Sequence, residues 1–402
     1  MTAGSERHAQ PGDFPGLTAA ELSRCGAAST AREIAQQPDV WLQVAQLIRA
    51  ERSQLDEFLA PLLANPALRI VLTGAGTSAF IGDCLAPALA LQLARRVDAI
   101  ATTDLVTGPH TRLQADVPTL LVSFARSGNS PESVAAIDLA EGLLHESHHL
   151  IVTCNADGAL AARAERMHNA RVVVLPDATN DRGFAMTSSF SSMLLAAALA
   201  FGVLESATVT QLARVGGTVM AAAHPLAQRL ASQRYERVVY LGSNALRGLA
   251  AEAALKLLEL TDGRTVAVSD SVLGFRHGPK TIINDRTLVV VALSNERYAR
   301  AYDRDLLAEL QRDGRAGTVL ALTATGDDLA AGERLLFEGM EHASDTVLVL
   351  LGAVFAQVYA LRQSLLLGVT PDRPNAAGVV NRVVQGVTIH RWQPAGRDVP
   401  RG

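Results

Sequence analysis

From Arg69 onward, short apolar runs punctuate the chain, each closed by Gly, Asn, Asp or Pro and separated by stretches of helical texture. RIVLTGAG (69–76), TLLVSFARSG (119–128), HLIVTCN (149–155) and RVVVLPD (171–177) are apolar almost throughout, as central parallel strands are when both faces are covered. Strands alternating with helices predict βαβ units and a doubly wound α/β sheet. The same order then recurs. RVVYLGSN (237–244) matches the first run and TLVVVALSN (287–295) the second, and Arg69 and Arg237, like Thr119 and Thr287, stand 168 residues apart. TVLALTA (318–324) and TVLVLLG (346–352) echo the third and fourth runs. The pattern predicts a duplicated domain with halves at 45–205 and 215–365.

Ahead of the first strand, residues 18–65 read as helical. Thr18 is one candidate cap and Ser29/Thr30 another, just before AREIAQQP. Pro38 should end that second helix or sit just past it. A longer amphipathic helix is expected over about 39–63. Residues 17–44 form the N-terminal helical segment and 366–402 a C-terminal tail. Residues 1–16 and 393–402 are polar and rich in Gly or Pro, and are expected to be disordered.

Composition narrows the function. A chain of 402 residues exceeds what one hydrophobic core usually holds, which agrees with two domains. Hydrophobic residues make up 49% and aromatics 4%, so Ala, Leu and Val carry the apolar content and favour packed helices and parallel strands. Net charge is −4 without a Lys/Arg run, so no nucleic-acid or anionic-membrane partner is expected. The N-terminus lacks a basic segment followed by an apolar run, and the densest apolar stretch, around 192–203, is too short to span a bilayer. The expectation is a cytoplasmic protein. Cys25, Cys84 and Cys154 are scattered, without the spacing of a disulfide framework or a zinc site.

Two strand-end loops carry candidate chemistry. The first strand runs into GAGTSAFIGD, placing Thr77 and Ser78 where a helix begins, after Gly76. The second runs into ARSGNSPES, giving Ser127, Ser130 and Ser133 the same placement, with Gly128 at the tight turn. Backbone N–H groups at helix starts, with short hydroxyls, suit a phosphate monoester, although Ser and Thr also serve as plain helix caps. The second-half loops, GSNALRG and SNERYAR, are poorer in hydroxyls. A dinucleotide reading of LTGAGTSAF is weak: Ala79 at the third small position is tolerable, but neither Asp98 nor Asp104 is well placed after a clear strand. Further on, AAEAALKLLEL (250–260) places Glu252, Lys256 and Glu259 at i, i+4 and i+7 on one face of an otherwise apolar helix. So narrow a stripe is either a solvated ion-pair row or the wall of a cleft. His277, in a Gly-Pro turn, is a candidate acid–base partner or an ordinary surface residue.

These residues together resemble the SIS (sugar isomerase) superfamily over nearly the whole chain. The resemblance rests on GAGTS, SGNSPES, the E-x-x-x-K-x-x-E of 252–259, the H-G-P turn at 277–279 and AREIAQQP. FARSGNSPES, GFRHGPK and NRVVQGVTIH are most similar to the tagatose-6-phosphate ketose/aldose isomerase family, also called AgaS, the galactosamine-6-phosphate deaminases. The resemblance implies two tandem SIS domains and a phosphosugar substrate, held by Thr77, Ser78, Ser127 and Ser130 with Arg126 beside them. Glu259 would carry a proton between C1 and C2, Lys256 and Glu252 would orient it, and His277 would assist ring opening from a neighbouring subunit. That last role implies a homodimer or homotetramer. Relative to glucosamine-6-phosphate synthase, Ala125 replaces a serine, Arg126 a glutamine, and Gln385 the tail lysine that condenses with a keto sugar. The expected reaction is galactosamine 6-phosphate plus water giving tagatose 6-phosphate plus ammonia, without cofactor or metal. The rivals are a plain aldose–ketose isomerase and a non-catalytic phosphosugar sensor.

Overall fold

The computed structural model describes residues 14–384 and 386–393. Most of the expected disorder at both ends, and Gln385, lie outside the described residues. Four helices come first: α1 (Ala19–Arg24), α2 (Ala28–Ala35), α3 (Gln37–Ala50) and α4 (Arg52–Ala64). The first half continues β1 (Arg69–Thr73), α5 (Thr77–Leu93), β2 (Val97–Ala99), α6 (Thr102–Thr107), α7 (Pro109–Arg112), β3 (Thr119–Ala125), α8 (Pro131–Leu143), β4 (Ser147–Thr153), α9 (Ala159–Ala164), β5 (Ala170–Val174) and α10 (Ser188–Ala200). α11 (Ser206–Ser232) leads into β6 (Arg237–Gly242), α12 (Ala245–Leu260), β7 (Val266–Ser271), β8 (Thr287–Ala292), α13 (Arg297–Asp313), β9 (Thr318–Thr323), β10 (Glu333–Leu336) and α14 (Asp345–Leu366).

Both sheets are five-stranded and parallel, in the orders β2-β1-β3-β4-β5 and β7-β6-β8-β9-β10. The strand order is the same in each. One core joins them: Ile70, Leu72, Leu120 and Val122 of the first sheet and Val238, Tyr240, Leu288 and Val290 of the second pack on helices that pack on one another. Smaller clusters cover the two outer faces, around Val71, Leu121 and Ile151, and around Val239, Val289 and Leu306.

Several details differ from the pattern-based expectation. The run 346–352 is not a strand but the start of α14, whose apolar character continues to Leu366 and whose faces are nearly all buried. A helix buried all round loses the periodicity that would separate it from a strand. α14 is also long and apolar enough to cross a membrane, yet it lies in the core, packed on α11 and α12. The place of the fourth strand is taken by β10, four residues of mixed polarity at the sheet edge. Edge strands β2 and β7 are likewise too short or too polar to be seen as apolar runs.

The helix expected over 39–63 is broken at Glu51 into α3 and α4, with Ile48 and Leu55 buried on either side of the break. Thr18 does cap α1, its hydroxyl accepting from Glu21 N at 3.2 Å while the Glu21 carboxylate takes Thr18 N at 2.7 Å. α2, however, opens at Ala27, with Ser29 and Thr30 inside it. Its free N–H groups are met by Asp372, which accepts from Ser29 N at 3.0 Å and from Thr30 N at 2.8 Å. The cap comes from 342 residues downstream.

Candidate functional site

The carboxyl ends of β1 and β3 supply the first components. After β1 the chain turns at Gly76, whose φ of 55° and ψ of −127° favour glycine, and starts α5 with the buried Thr77 and Ser78. After β3 the loop turns at Gly128, φ 66°, where an added Cβ would lie 3.3 Å from Gly158 Cα. Side chains brace this loop from outside: the Asn155 amide donates to Ser127 O at 2.8 Å, and Asn129 Oδ1 accepts from Ala159 N at 2.9 Å. Ser130 and Ser133 hydroxyls meet at 2.7 Å, and Ser127 Oγ accepts from Asn129 N at 3.3 Å. The two loops line one cleft of about 110 Å³ that brings together Ser78, Arg126, Ser127, Gly128 and Ser130. Met186 and residues 382–384 of the tail complete it.

Arg126 is, with Arg382, one of two cations in the lining of this cleft. Its guanidinium donates to Phe184 O at 3.1 Å and to Arg382 O at 2.7 Å, while Nε is buried without a partner. Burial and the nearby Arg382 pull its pKa down, against Asp181 and Glu259, which pull it up.

The stripe on α12 faces inward. Glu252 is 1% exposed and Lys256 0%, which excludes the solvated row. Lys256 pairs with Glu259, which is half-buried, and its Nζ lies 3.7 Å from Glu252 Oε1. Both Glu252 oxygens and the neighbouring Thr77 hydroxyl are buried without a well-formed hydrogen bond. Burial pushes the Glu252 carboxyl up to about 8 despite Lys256. Burial works against the Lys256 ammonium too, but the two carboxylates more than offset it and hold its pKa above the ordinary value. α12 packs on α5, the Thr77 hydroxyl lies beside the Glu252 carboxyl, and the Glu259 charge is near enough to raise the Arg126 pKa, so stripe and cleft adjoin.

His277 is not gathered in. It is exposed on the turn after the short 3-10 helix Gly274–Arg276, and among the described residues it makes no hydrogen bond or ion pair with the loops or the stripe. Gln385 lies outside the described residues. In the second half the corresponding donors are already used: Ser294 Oγ and Asn295 N go to Asp345 at 2.6 and 3.0 Å, and Ser294 N to Asp303 at 2.9 Å. Internal carboxylates sit there, which accounts for an anion-type cleft in one half only. Two larger clefts, of about 740 and 620 Å³, flank the start of α12, but neither has the loop hydroxyls of the first half.

The pattern reading missed the residues around 180–187 and Arg382. Asp181, fully buried, accepts from Thr187 N at 2.8 Å and Ser189 N at 2.9 Å and so caps α10. Arg382 donates to Asp181 O at 2.9 Å and Asn180 Oδ1 at 3.0 Å. The signals available were AREIAQQP, which holds Glu33, and the tail NRVVQGVTIH, where a role fell to Gln385 but none to Arg382.

Comparison with known proteins agrees with this construction. Residues 62–202 match the SIS domain family. An AgaS protein of Streptomyces coelicolor is 50% identical over 90% of this chain and 96% of its own. The Escherichia coli D-galactosamine-6-phosphate deaminase AgaS is 47% identical over 90% of this chain and 96% of its own. The crystal structure of tagatose-6-phosphate ketose/aldose isomerase from Escherichia coli superposes with a TM-score of 0.85 at 44% identity, covering 91% of this chain and 97% of that one. With two parallel five-stranded sheets around a shared core and relatives this similar along nearly their whole length, the chain belongs to the SIS-domain family, in its AgaS branch.

Proposed function

We propose that this chain is a deaminating isomerase that converts galactosamine 6-phosphate and water to tagatose 6-phosphate and ammonia. The observation that carries the reading is a hydroxyl- and Arg-lined cleft at the start of α5, with the Glu252-Lys256-Glu259 set on α12, the helix that packs on α5. Thr77, Ser78, Ser127 and Ser130, with the backbone at Gly76 and Gly128 and the Arg126 guanidinium, hold the phosphate. On the open-chain sugar Glu259 takes the proton from C2 and returns it to C1, passing through an enolamine. The product is an imine at C2 beside a C1 alcohol. Water adds to that imine, and ammonia leaves as the ketone forms. Lys256 and Glu252 orient Glu259 and balance the charge that develops. The substrate carries its own amine, so Gln385 in place of a condensing lysine fits deamination. His277, exposed on its turn, serves ring opening from a neighbouring copy in a dimer or tetramer. The halves 45–205 and 215–365 are the two SIS domains of a cytoplasmic enzyme, with the phosphosugar in the first.

The test is incubation of the purified protein with galactosamine 6-phosphate and, separately, glucosamine 6-phosphate. Ammonia should appear in step with tagatose 6-phosphate, and borohydride should trap no sugar–protein adduct. No ammonia from either amino sugar phosphate, with aldose–ketose interconversion of a nitrogen-free hexose 6-phosphate instead, would replace this reading with a plain isomerase; binding without turnover would replace it with a sensor.

A further inference from the structure

α2 belongs to neither sheet, yet it reaches the rim of the phosphosugar cleft. Glu33 on α2 is 2% exposed and accepts from Arg182 N at 2.6 Å and Gly183 N at 3.1 Å. The contact leaves no slack, because a Cβ on Gly183 would lie 2.7 Å from Thr30 Oγ1 and 2.9 Å from Glu33 Oε2. One residue further on, the Phe184 carbonyl takes the Arg126 guanidinium at 3.1 Å, and Met186 of the same segment lines the cleft. Burial and the neighbouring Asp181 charge push the Glu33 carboxyl up to about 7, so its place there is an unfavourable one held by those backbone donors.

We propose that Glu33 is a positioning residue for the phosphosugar site: it fixes the backbone at 182–184, the Phe184 carbonyl fixes the Arg126 guanidinium, and Arg126 meets the phosphate. The inference rests on the reading of Arg126 as a phosphate ligand. Two of the guanidinium's donors go to the carbonyls of Phe184 and Arg382, which aims the remaining donors. A guanidinium that loses one of these two anchors is free to turn away. Misplacement by about 1 Å costs up to roughly 100-fold at a reacting or binding centre.

The experiment measures kcat and KM for galactosamine 6-phosphate, Kd for tagatose 6-phosphate by calorimetry, and thermal midpoints. The proteins are the parent, E33Q, R126A and E33Q/R126A. E33Q keeps the side-chain volume and one acceptor oxygen but loses the second. It should raise KM and Kd about tenfold with kcat within about twofold. In the R126A background E33Q should add nothing, since the two residues act in series. An E33Q protein with parental KM and Kd and only a lower thermal midpoint would overturn the proposal. An E33Q effect equally large in the R126A background would also overturn it. An R126A protein with parental KM and Kd would instead bring down the phosphate reading of Arg126. G183A approaches the same contact from the loop side with Glu33 intact, and should give the same rise in KM and Kd. If E33Q does not accumulate as folded protein, a G183A protein with parental KM and Kd overturns the proposal in its place.

Discussion

Lys256 is an ammonium out of reach of water, and its two carboxylate neighbours are not equivalent. An unpaired charge in such a place costs several kcal/mol, by order of magnitude, so the pairing with Glu259 is obligatory. Burial pushes the Glu252 carboxyl up to about 8, so in the proposed reaction the proton falls to Glu259, the more exposed of the two. Glu259→Gln should therefore lower turnover by about 100- to 10,000-fold while phosphosugar affinity largely survives. Ser127→Ala should do the reverse. It removes one hydrogen bond to a charged group, worth about 1.5–3 kcal/mol, so affinity falls roughly 10- to 150-fold with little change in kcat. Steady-state kinetics and calorimetry on both variants check the pair; near-parental turnover in Glu259→Gln would remove it as the base. The stripe was legible in the sequence because its three polar residues stand alone on an Ala/Leu helix. Glu33 and Arg382 were not, because Glu33 meets its partner 149 residues away and Arg382 is met by Arg126 from 256 away. No window along the chain contains both ends of such a contact.

The central strands were legible for a related reason: a parallel strand covered on both faces needs a run of apolar residues, and few other elements of that length do. β10 and the edge strands escaped notice because one side of each is exposed or shared with polar groups. The long buried α14 failed in the opposite way, being apolar on every face. Caps show the same division. Thr18 and Glu21 are three residues apart and could be read; Asp372, which closes the start of α2, could not. Asp372→Ala should cost about 1 kcal/mol, measured as a lower denaturant midpoint with an unchanged slope. A variant as stable as the parent would mean that water replaces the cap without loss.

Across the whole molecule, buried carboxyls set how stability responds to pH. Glu33 and Glu252 are raised by burial to about 7 and about 8, from an ordinary 4.5. A raised acid is held preferentially in its protonated form by the fold. Its contribution is full below the ordinary value and is lost as pH climbs through the folded value. Asp303, raised to about 6, follows the same sign at lower pH. His149 and His224, pulled below an ordinary 6.5 by burial, work the other way, but only below that value. Thermal midpoints should accordingly fall between about pH 6.5 and 8.5. A flat or rising curve there, recorded by calorimetry, would show that neither glutamate is raised. The closure of α2 by Asp372 also has a consequence for the order of manufacture. A ribosome delivers that helix early and its cap 342 residues later. At roughly 5–20 residues per second the interval is on the order of 20 to 70 seconds. During it the growing polypeptide already holds both phosphate loops, while the helix bracing their rim still has a frayed first turn. The brace tightens only once Asp372 has emerged, so the earliest part of the chain to be made is among the last to settle.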